Sequence, residues 1–248
     1  MKKIDSIEII EAYPAAYIKP LDTIIIADLH LGYETIAAEN GVFLPKIQYN
    51  KTIEKIKKII NKTPAKNIII NGDIKHEFSE TSYHEYKEVK NFFEFLNHIG
   101  FEKIIVLKGN HDNFIINITR KYDNIELYDE IAINNFFITH GHKDKKLSEI
   151  KQENIILAHE HPSIGLYTDI GVKEKLKCFL YGKIKSKNIV VLPAFSYFAQ
   201  GSDINLIPKN ELLSPILKKI DVDNLKAIGI LEDDEKLLEF PEIGKIRE

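Results

Sequence analysis

Five short stretches carry side chains able to hold a metal ion: Asp28-Leu29-His30, Gly72-Asp73, Gly109-Asn110-His111-Asp112, His140-Gly141-His142 and His159-Glu160-His161. Pooled, Asp28, His30, Asp73, Asn110, His140, His159 and His161 offer oxygen and nitrogen donors and no sulfur. Such a set suits Mn²⁺, Fe or Zn²⁺. It exceeds what one tetrahedral ion with an open position requires. Two ions about 3.5–4 Å apart, sharing one carboxylate, would use it fully. A pair of that kind clamps the attacking and leaving oxygens of an in-line displacement at phosphorus and lowers the pKa of a bound water. Asp28 and His30 stand two apart, as do His159 and His161, so on an extended chain each pair would point to one face. Gly-Asn-His-Asp could serve as an ordinary turn, but a turn has no need of the central His111.

Most of these stretches follow a short apolar run. Residues 23–27, 67–70, 103–107 and 154–158 are rich in Ile and Val and read as buried strands. Residues 46–61 place Ile47, Ile53, Ile56, Ile59 and Ile60 on one helical face. Residues 82–99 do the same with Tyr86, Val89, Phe93, Leu96 and Ile99, and Gly100 is placed to end that helix. Strand–helix–strand alternation predicts parallel pairing, with ligands gathered beyond the carboxyl ends of the strands. Past Asn124 the runs 125–128, 131–133 and 136–139 are short, with Asn134-Asn135 as a hairpin turn, and predict an antiparallel sheet. A helical turn is expected near 144–151, strands at 176–180 and 188–192, and a closing strand around Leu237, Leu238 and Phe240. Residues 4–19, interrupted by Pro14, suggest edge strands. No repeat or low-complexity linker divides the chain, so a single domain over 1–248 is expected.

Composition narrows the function. The 34 basic and 37 acidic residues give a net charge of −3, so no global basic field points to nucleic acid. Basic segments remain at Lys143-Asp144-Lys145-Lys146 and in the alternating lysines of 173–187, the latter most simply a solvated pair of strands, and both could hold a phosphate backbone. Cys178 is the single cysteine, which excludes an intramolecular disulfide and a cysteine-based zinc site. No apolar run approaches the roughly 18–20 residues needed to span a bilayer. Asp5, Glu8 and Glu11 interrupt any leader-like stretch, so a cytoplasmic protein without a membrane partner is expected. His84 and His98 read as surface residues, and Tyr197 and Phe198 as core aromatics, with stacking on a base as the alternative.

In order and kind, the five blocks resemble the calcineurin-like metallophosphoesterases, whose pattern runs Asp-x-His, Gly-Asp, Gly-Asn-His-Asp/Glu, His, then Gly-His-x-His. Here Ala158 stands in place of the last glycine, where a backbone needing positive φ would be strained. The resemblance implies one ion on Asp28, His30, Asp73 and His161, and a second on Asp73, Asn110, His140 and His159, with Asp73 shared. It implies that His111 faces the scissile phosphate and protonates the leaving oxygen, while Asp112 orients and charge-tunes His111. His76 and His142 are candidates for supporting groups beside the ligands. The implied cofactors are two divalent ions, Mn²⁺ first, with Fe, Zn²⁺ or Ni²⁺ as alternatives.

Longer stretches, Asp28-Leu29-His30-Leu31-Gly32-Tyr33-Glu34, Gly72-Asp73-Ile74-Lys75-His76-Glu77-Phe78 and His159-Glu160-His161-Pro162, are similar to SbcD-related archaeal phosphoesterases and DNA-ligase-associated phosphoesterases. The similarity implies an α/β fold: a four-layer αββα sandwich of two facing mixed sheets flanked by helices. It implies a dinuclear, metal-dependent hydrolase of phosphodiester bonds, acting by metal-activated hydroxide attack with a histidine general acid, and extends to nuclease action. Its partner would be a phosphoester substrate, either nucleic acid or nucleotide. Two other readings stay open: a phosphatase or phosphodiesterase for small nucleotides on the same site, and a non-catalytic metal-bound scaffold. Retention of His111 argues against the scaffold, which needs no general acid. The sequence leaves oligomeric state undecided.

Overall fold

Apolar strands and amphipathic helices alternate along the first half of the chain, and the backbone pairs accordingly. The structure is a computed structural model that describes residues 2–78 and 82–247. Met1 and Glu248, the ends of the expected domain, lie outside the described residues. The first sheet runs in chain order: β1 (Lys2–Ile4), β2 (Ile7–Ile9), β3 (Ala16–Ile18), β4 (Thr23–Ile26), β5 (Asn67–Asn71), β6 (Lys103–Leu107) and β7 (Ile125–Tyr128). Strands β1 to β4 pair antiparallel. Strands β4 to β7 pair parallel, with Ile24 opposite Ile68 and Ile68 opposite Ile104. All four residues of β4 are buried, the expected texture of a parallel strand covered on both faces.

The parallel placement of β7 corrects the antiparallel expectation for 125–128. A two-residue hairpin would have forced antiparallel pairing. Instead a crossover containing the helical turn Ile116–Thr119, with Ile115 and Ile118 buried against the sheet, carries the chain back to the starting edge.

Four α-helices are described: α1 (Tyr33–Glu39), α2 (Gln48–Ile60), α3 (Tyr83–His98) and α4 (Ile116–Thr119). Their apolar faces cover the first sheet, with Ile56 and Ile59 of α2 and Val89, Phe93 and Leu96 of α3 packed with Ile24, Ile68 and Ile104. Ser82 caps α3 by accepting the Glu85 N–H at 3.1 Å.

The second sheet contains β8 (Glu130–Ile133), β9 (Phe136–Thr139), β10 (Asn154–Leu157), β11 (Pro162–Tyr167), β12 (Lys173–Ile184), β13 (Lys187–Val191), β14 (Ser202–Asp203), β15 (Lys226–Leu231) and β16 (Lys236–Glu242). It is mixed: β10 pairs parallel with β9 and β13, while β8 pairs antiparallel with β9. Asn134 takes a positive φ of 49° in the β8–β9 turn, as its sequence suggested. The two sheets face each other through Ile25, Ile69 and Ile105 on one side and Ile138, Ile156, Phe179 and Ile228 on the other.

The outer cover of the second sheet differs in kind from that of the first. Leu212, Leu217 and Val222 pack on Ile155, Leu180 and Ile189 from a segment of three 3-10 turns, Lys209–Glu211, Leu217–Lys219 and Val222–Asn224. Pro208 and Pro215 deny that segment the continuous donors of an α-helix. Near 144–151 the chain makes a single 3-10 turn, Leu147–Glu149. Among the described residues, no helix is long and apolar enough to cross a membrane.

Candidate metal centre

The carboxyl ends of β4, β5 and β6 in one sheet, and of β9 and β10 in the other, open onto one place. The chain after β4 is zipped to the chain after β5: the Asp28 N–H donates to Gly72 O at 3.0 Å and the His30 N–H to Asp73 O at 2.9 Å. The His159 N–H, from the other sheet, reaches Asp28 Oδ2 at 3.3 Å. Asp28, His30, Asp73, His159 and His161 all have positive φ, between 47° and 68°. The Asp28–His30 and His159–His161 pairs therefore converge through left-handed turns, not along an extended chain as the spacing suggested. A non-glycine residue tolerates that conformation at a cost the surrounding structure must offset, and such residues gather at functional sites.

Ligating atoms of Asp28, His30, Asp73 and His161 lie within 4.8 Å of one another, and so do those of Asp73, His140 and His159. Asn110 Oδ1 stands 3.2 Å from His140 Nε2, which brings the remaining expected donor to the second group. Asp73 belongs to both. A third group, His30, His76 and His111, was not expected. His76 Nδ1 is 3.4 Å from His30 Nδ1, and the His142 ring is 5.2 Å from that of His140.

Cations fit these donors. Among the described residues, Asp28 Oδ1 is buried without a hydrogen-bond partner, 3.3 Å from His161 Nε2. His30 Nε2 and His161 Nε2 face each other at 3.4 Å. His140 Nδ1 lies 2.9 Å from Asn71 O, which fixes that nitrogen as the donor and turns Nε2 inward, 3.3 Å from Asp73 Oδ2. Burial would raise the Asp73 carboxyl, but His140, His30 and His111 hold it far below the usual range. Burial pulls His140 down, yet Asp73 and Asp28 outweigh it and lift the imidazole to about 9. Burial, with His161 beside His30 and His140 beside His159, pushes these two down to about 3 and about 4, leaving neutral rings of the kind metals take.

Two glycines are required here. A β-carbon on Gly72, whose φ is +87°, would stand 2.2 Å from His140 Nδ1. One on Gly109 would stand 2.0 Å from Asp73 Oδ1. Ala158, by contrast, lies outside the left-handed region and packs between the sheets, so replacing the usual glycine introduces no strain.

His111 sits at the rim, its backbone N–H donating to Asp73 Oδ1 at 2.9 Å and its Nδ1 2.6 Å from His76 O. Among the described residues, no side-chain hydrogen bond joins Asp112 to its ring. Asp112 takes the N–H groups of Ile74 and Gly109 at 2.9 Å and of Lys75 at 3.4 Å. Orientation of the His111 ring therefore comes from the His76 carbonyl, and Asp112 ties the β5 and β6 turns together. Burial and Asp73 push its carboxyl up to about 6.

A family model described as calcineurin-like phosphoesterase matches residues 21–222. The chain belongs to that family. Among solved structures, the Pseudomonas putida nuclease MPE is 17% identical, with a TM-score of 0.63, over 93% of this chain and 94% of that one. This calcineurin-like phosphoesterase shares its fold with that nuclease. A protein of unknown function from Aquifex aeolicus (18% identical, TM-score 0.38, 60% of this chain and 81% of that one) also matches. So does a metallophosphoesterase from Sphaerobacter thermophilus (12% identical, TM-score 0.36, 88% and 87%). No curated protein matches the chain.

Two groups that support the site escaped the sequence reading. Glu160, fully buried, accepts the N–H groups of Leu213 at 3.1 Å and Ser214 at 2.8 Å, anchoring the turn that carries His159 and His161. Glu85, also fully buried, accepts the His76 and Glu77 N–H groups at 2.7 Å each. Ser82-Tyr83-His84-Glu85 has the spacing of a capping box, a signal that Glu85 seeks backbone donors. The neighbouring His84 and His98 are exposed, as expected.

Proposed function

We propose that the protein is a dinuclear metal-dependent phosphodiesterase, with nuclease action on nucleic acid within its range. The observation that carries this reading is Asp73: one buried carboxylate common to two donor groups, with His111 beside it. Asp28, His30, Asp73 and His161 would hold one ion, and Asp73, Asn110, His140 and His159 the other. When bound, such ions neutralise charge on a phosphoryl group and lower the pKa of water. Mn²⁺ is the first choice for this oxygen and nitrogen set. The reading includes one domain over 1–248 and a cytoplasmic location.

The chain's own residues supply the proton and the geometry. The His111 Nδ1–H donates to His76 O, which leaves Nε2 as the atom to carry a proton to the leaving oxygen. Asp112 keeps the Ile74, Lys75 and Gly109 backbone in place, so the turn bearing Asp73 and the turn bearing His111 keep their spacing. Glu160 does the same for His159 and His161.

The test is hydrolysis of a chromogenic phosphodiester and its matching monoester, with Mn²⁺ and after chelation, with Asp73→Ala as control. Metal-dependent diester turnover, absent in the variant, is expected. Turnover of the monoester alone would replace the reading with a phosphatase. Silence on both, with two ions bound, would favour the scaffold.

A further inference from the structure

We propose that Tyr33 and Phe198 form a stacking platform for the nucleobase next to the scissile phosphate; this rests on the phosphodiesterase reading and extends it. The starting observation is a row of rings leading away from His111. His76 stacks on His111 with centroids 5.6 Å apart and planes 10° apart. Tyr33 lies 4.5 Å from His76 at 39°. Phe198 stacks on Tyr33 at 5.4 Å and 19°. Tyr197 closes the row edge-on to Phe198 at 5.3 Å. The row thus begins at the group assigned to the leaving oxygen and continues as an aromatic surface.

Core packing, the simpler expectation for Tyr197 and Phe198, does not describe them. Tyr197 is 50% exposed and Phe198 is half-buried, whereas the next aromatic back in the chain, Phe195, is fully buried in the core under the first sheet. Burial of their own surface therefore does not account for a row of rings left open to solvent.

The platform is rigidly mounted. Gln48 Oε1 accepts the Tyr197 N–H at 2.8 Å, and its Nε2 donates to Ser196 Oγ at 2.8 Å and to Leu29 O. Ser196 Oγ accepts the Ala199 N–H at 3.2 Å, and the Ser196 N–H donates to Asp28 O at 3.0 Å. Tyr33 opens α1 directly after the turn carrying His30. The rings are therefore registered to the ligand turns themselves, as a substrate subsite needs.

Beside the rings, Tyr197 lines a cavity of about 470 Å³ in which Lys55, Lys175 and Lys177 are balanced by Glu232, Asp233 and Asp234, with Lys55 paired to Glu232 at 2.9 Å. The rings themselves are the recognition element, since every base offers a face to stack.

The experiment compares kcat/KM for the dinucleotide thymidylyl-thymidine with that of the two diesters in which one nucleoside or the other is abasic deoxyribose. Wild type should prefer the dinucleotide over at least one abasic diester. Phe198→Ala and Phe198→Leu should erode that preference about tenfold, and Phe198→Tyr should keep it. Leu preserves apolar bulk, so loss in both Ala and Leu is not a folding defect. No preference in wild type, or a preference that survives Phe198→Ala combined with Tyr33→Ala, overturns the proposal. Binding of a thymidine pentanucleotide and its abasic counterpart, read by anisotropy in chelator, separates the two hypotheses. Base-dependent binding weakened by Phe198→Ala, with no diester turned over, keeps the platform and rejects the phosphodiesterase. Thymidine monophosphate as competitor shows whether a free nucleotide reaches the same rings; its competition, or base-dependent binding of the pentanucleotide alone, supports the platform, and the absence of both overturns it.

Discussion

Gly109 presses a bare α-carbon against Asp73: a β-carbon there would stand 2.0 Å from Oδ1 and 2.4 Å from the backbone nitrogen. Neither is a flexible tip that could swing aside. Gly109→Ala should therefore displace the shared carboxylate and weaken ion binding at both donor groups by roughly 10- to 100-fold. Titration of metal content on the purified variant checks this; full occupancy at wild-type affinity would show that Asp73 is not the shared ligand.

His111→Asn should separate chemistry from metal binding. The ring makes no part of the two expected ion groups, so metal content should stay at the wild-type value. Turnover should fall by about 10²–10⁴, the usual worth of a positioned proton donor. A variant that turns over at the wild-type rate would remove His111 from the mechanism.

Glu160→Ala should act at a distance of one residue from two ligands. It strips two N–H groups of their acceptor, the buried one of Ser214 and the part-buried one of Leu213, which costs about 1–3 kcal/mol. Urea unfolding in chelator measures that loss, and metal titration should show weakening at both ion groups. Unaltered affinity would mean that the His159–His161 turn holds its shape unaided.

Glu85 makes stability depend on pH. Its burial pushes the carboxyl up to about 7, against the Glu77 N–H, the Lys75 ammonium 3.8 Å away and the His76 N–H, from 4.5 in the unfolded chain. The folded state thus binds the proton more tightly. Its contribution is complete below pH 4.5 and is lost as pH rises through about 7. The loss between pH 5 and 8 is about 3 kcal/mol at most. Glu85→Gln keeps an oxygen for the two N–H groups and cannot ionise, so its unfolding free energy should vary less across that range. Identical pH slopes in the two proteins would discount the buried carboxyl.

The gathering of Asp28, His30, Asp73, His140, His159 and His161 in one place was legible because strand ends in an α/β chain have few reasons to carry Asp and His together. Their geometry was not. Spacing of two suggested an extended pincer, but Asp28, His30, His159 and His161 adopt left-handed turns. Nothing in the residue types announces this, since the surrounding hydrogen bonds enforce it. Asp112 follows His111 in sequence yet serves the backbone of Ile74 and Gly109, because its short side chain is buried against that turn. Parallel pairing of β4, β5 and β6 was legible from the alternation of Ile-rich strands and amphipathic helices, while the four-layer arrangement came from the family resemblance. The 3-10 cover over the second sheet was not, because Leu212, Leu217 and Val222 show no helical period around Pro208 and Pro215. The parallel placement of β7 depended on a crossover whose helix spans only Ile116–Thr119, too short to leave a periodic signal.

Asp28 and Asp73 belong to one sheet, and His140, His159 and His161 to the other. An ion held among them would act as a rivet through the seam that Ile69 and Ile156 help to line. Loading the site and keeping the two halves closed then become a single equilibrium, and each added decade of free ion above the dissociation constant contributes about 1.4 kcal/mol against separation. A chelator does more than stop turnover on this view: it loosens the joint, and amide exchange along β5 and β10 should quicken together.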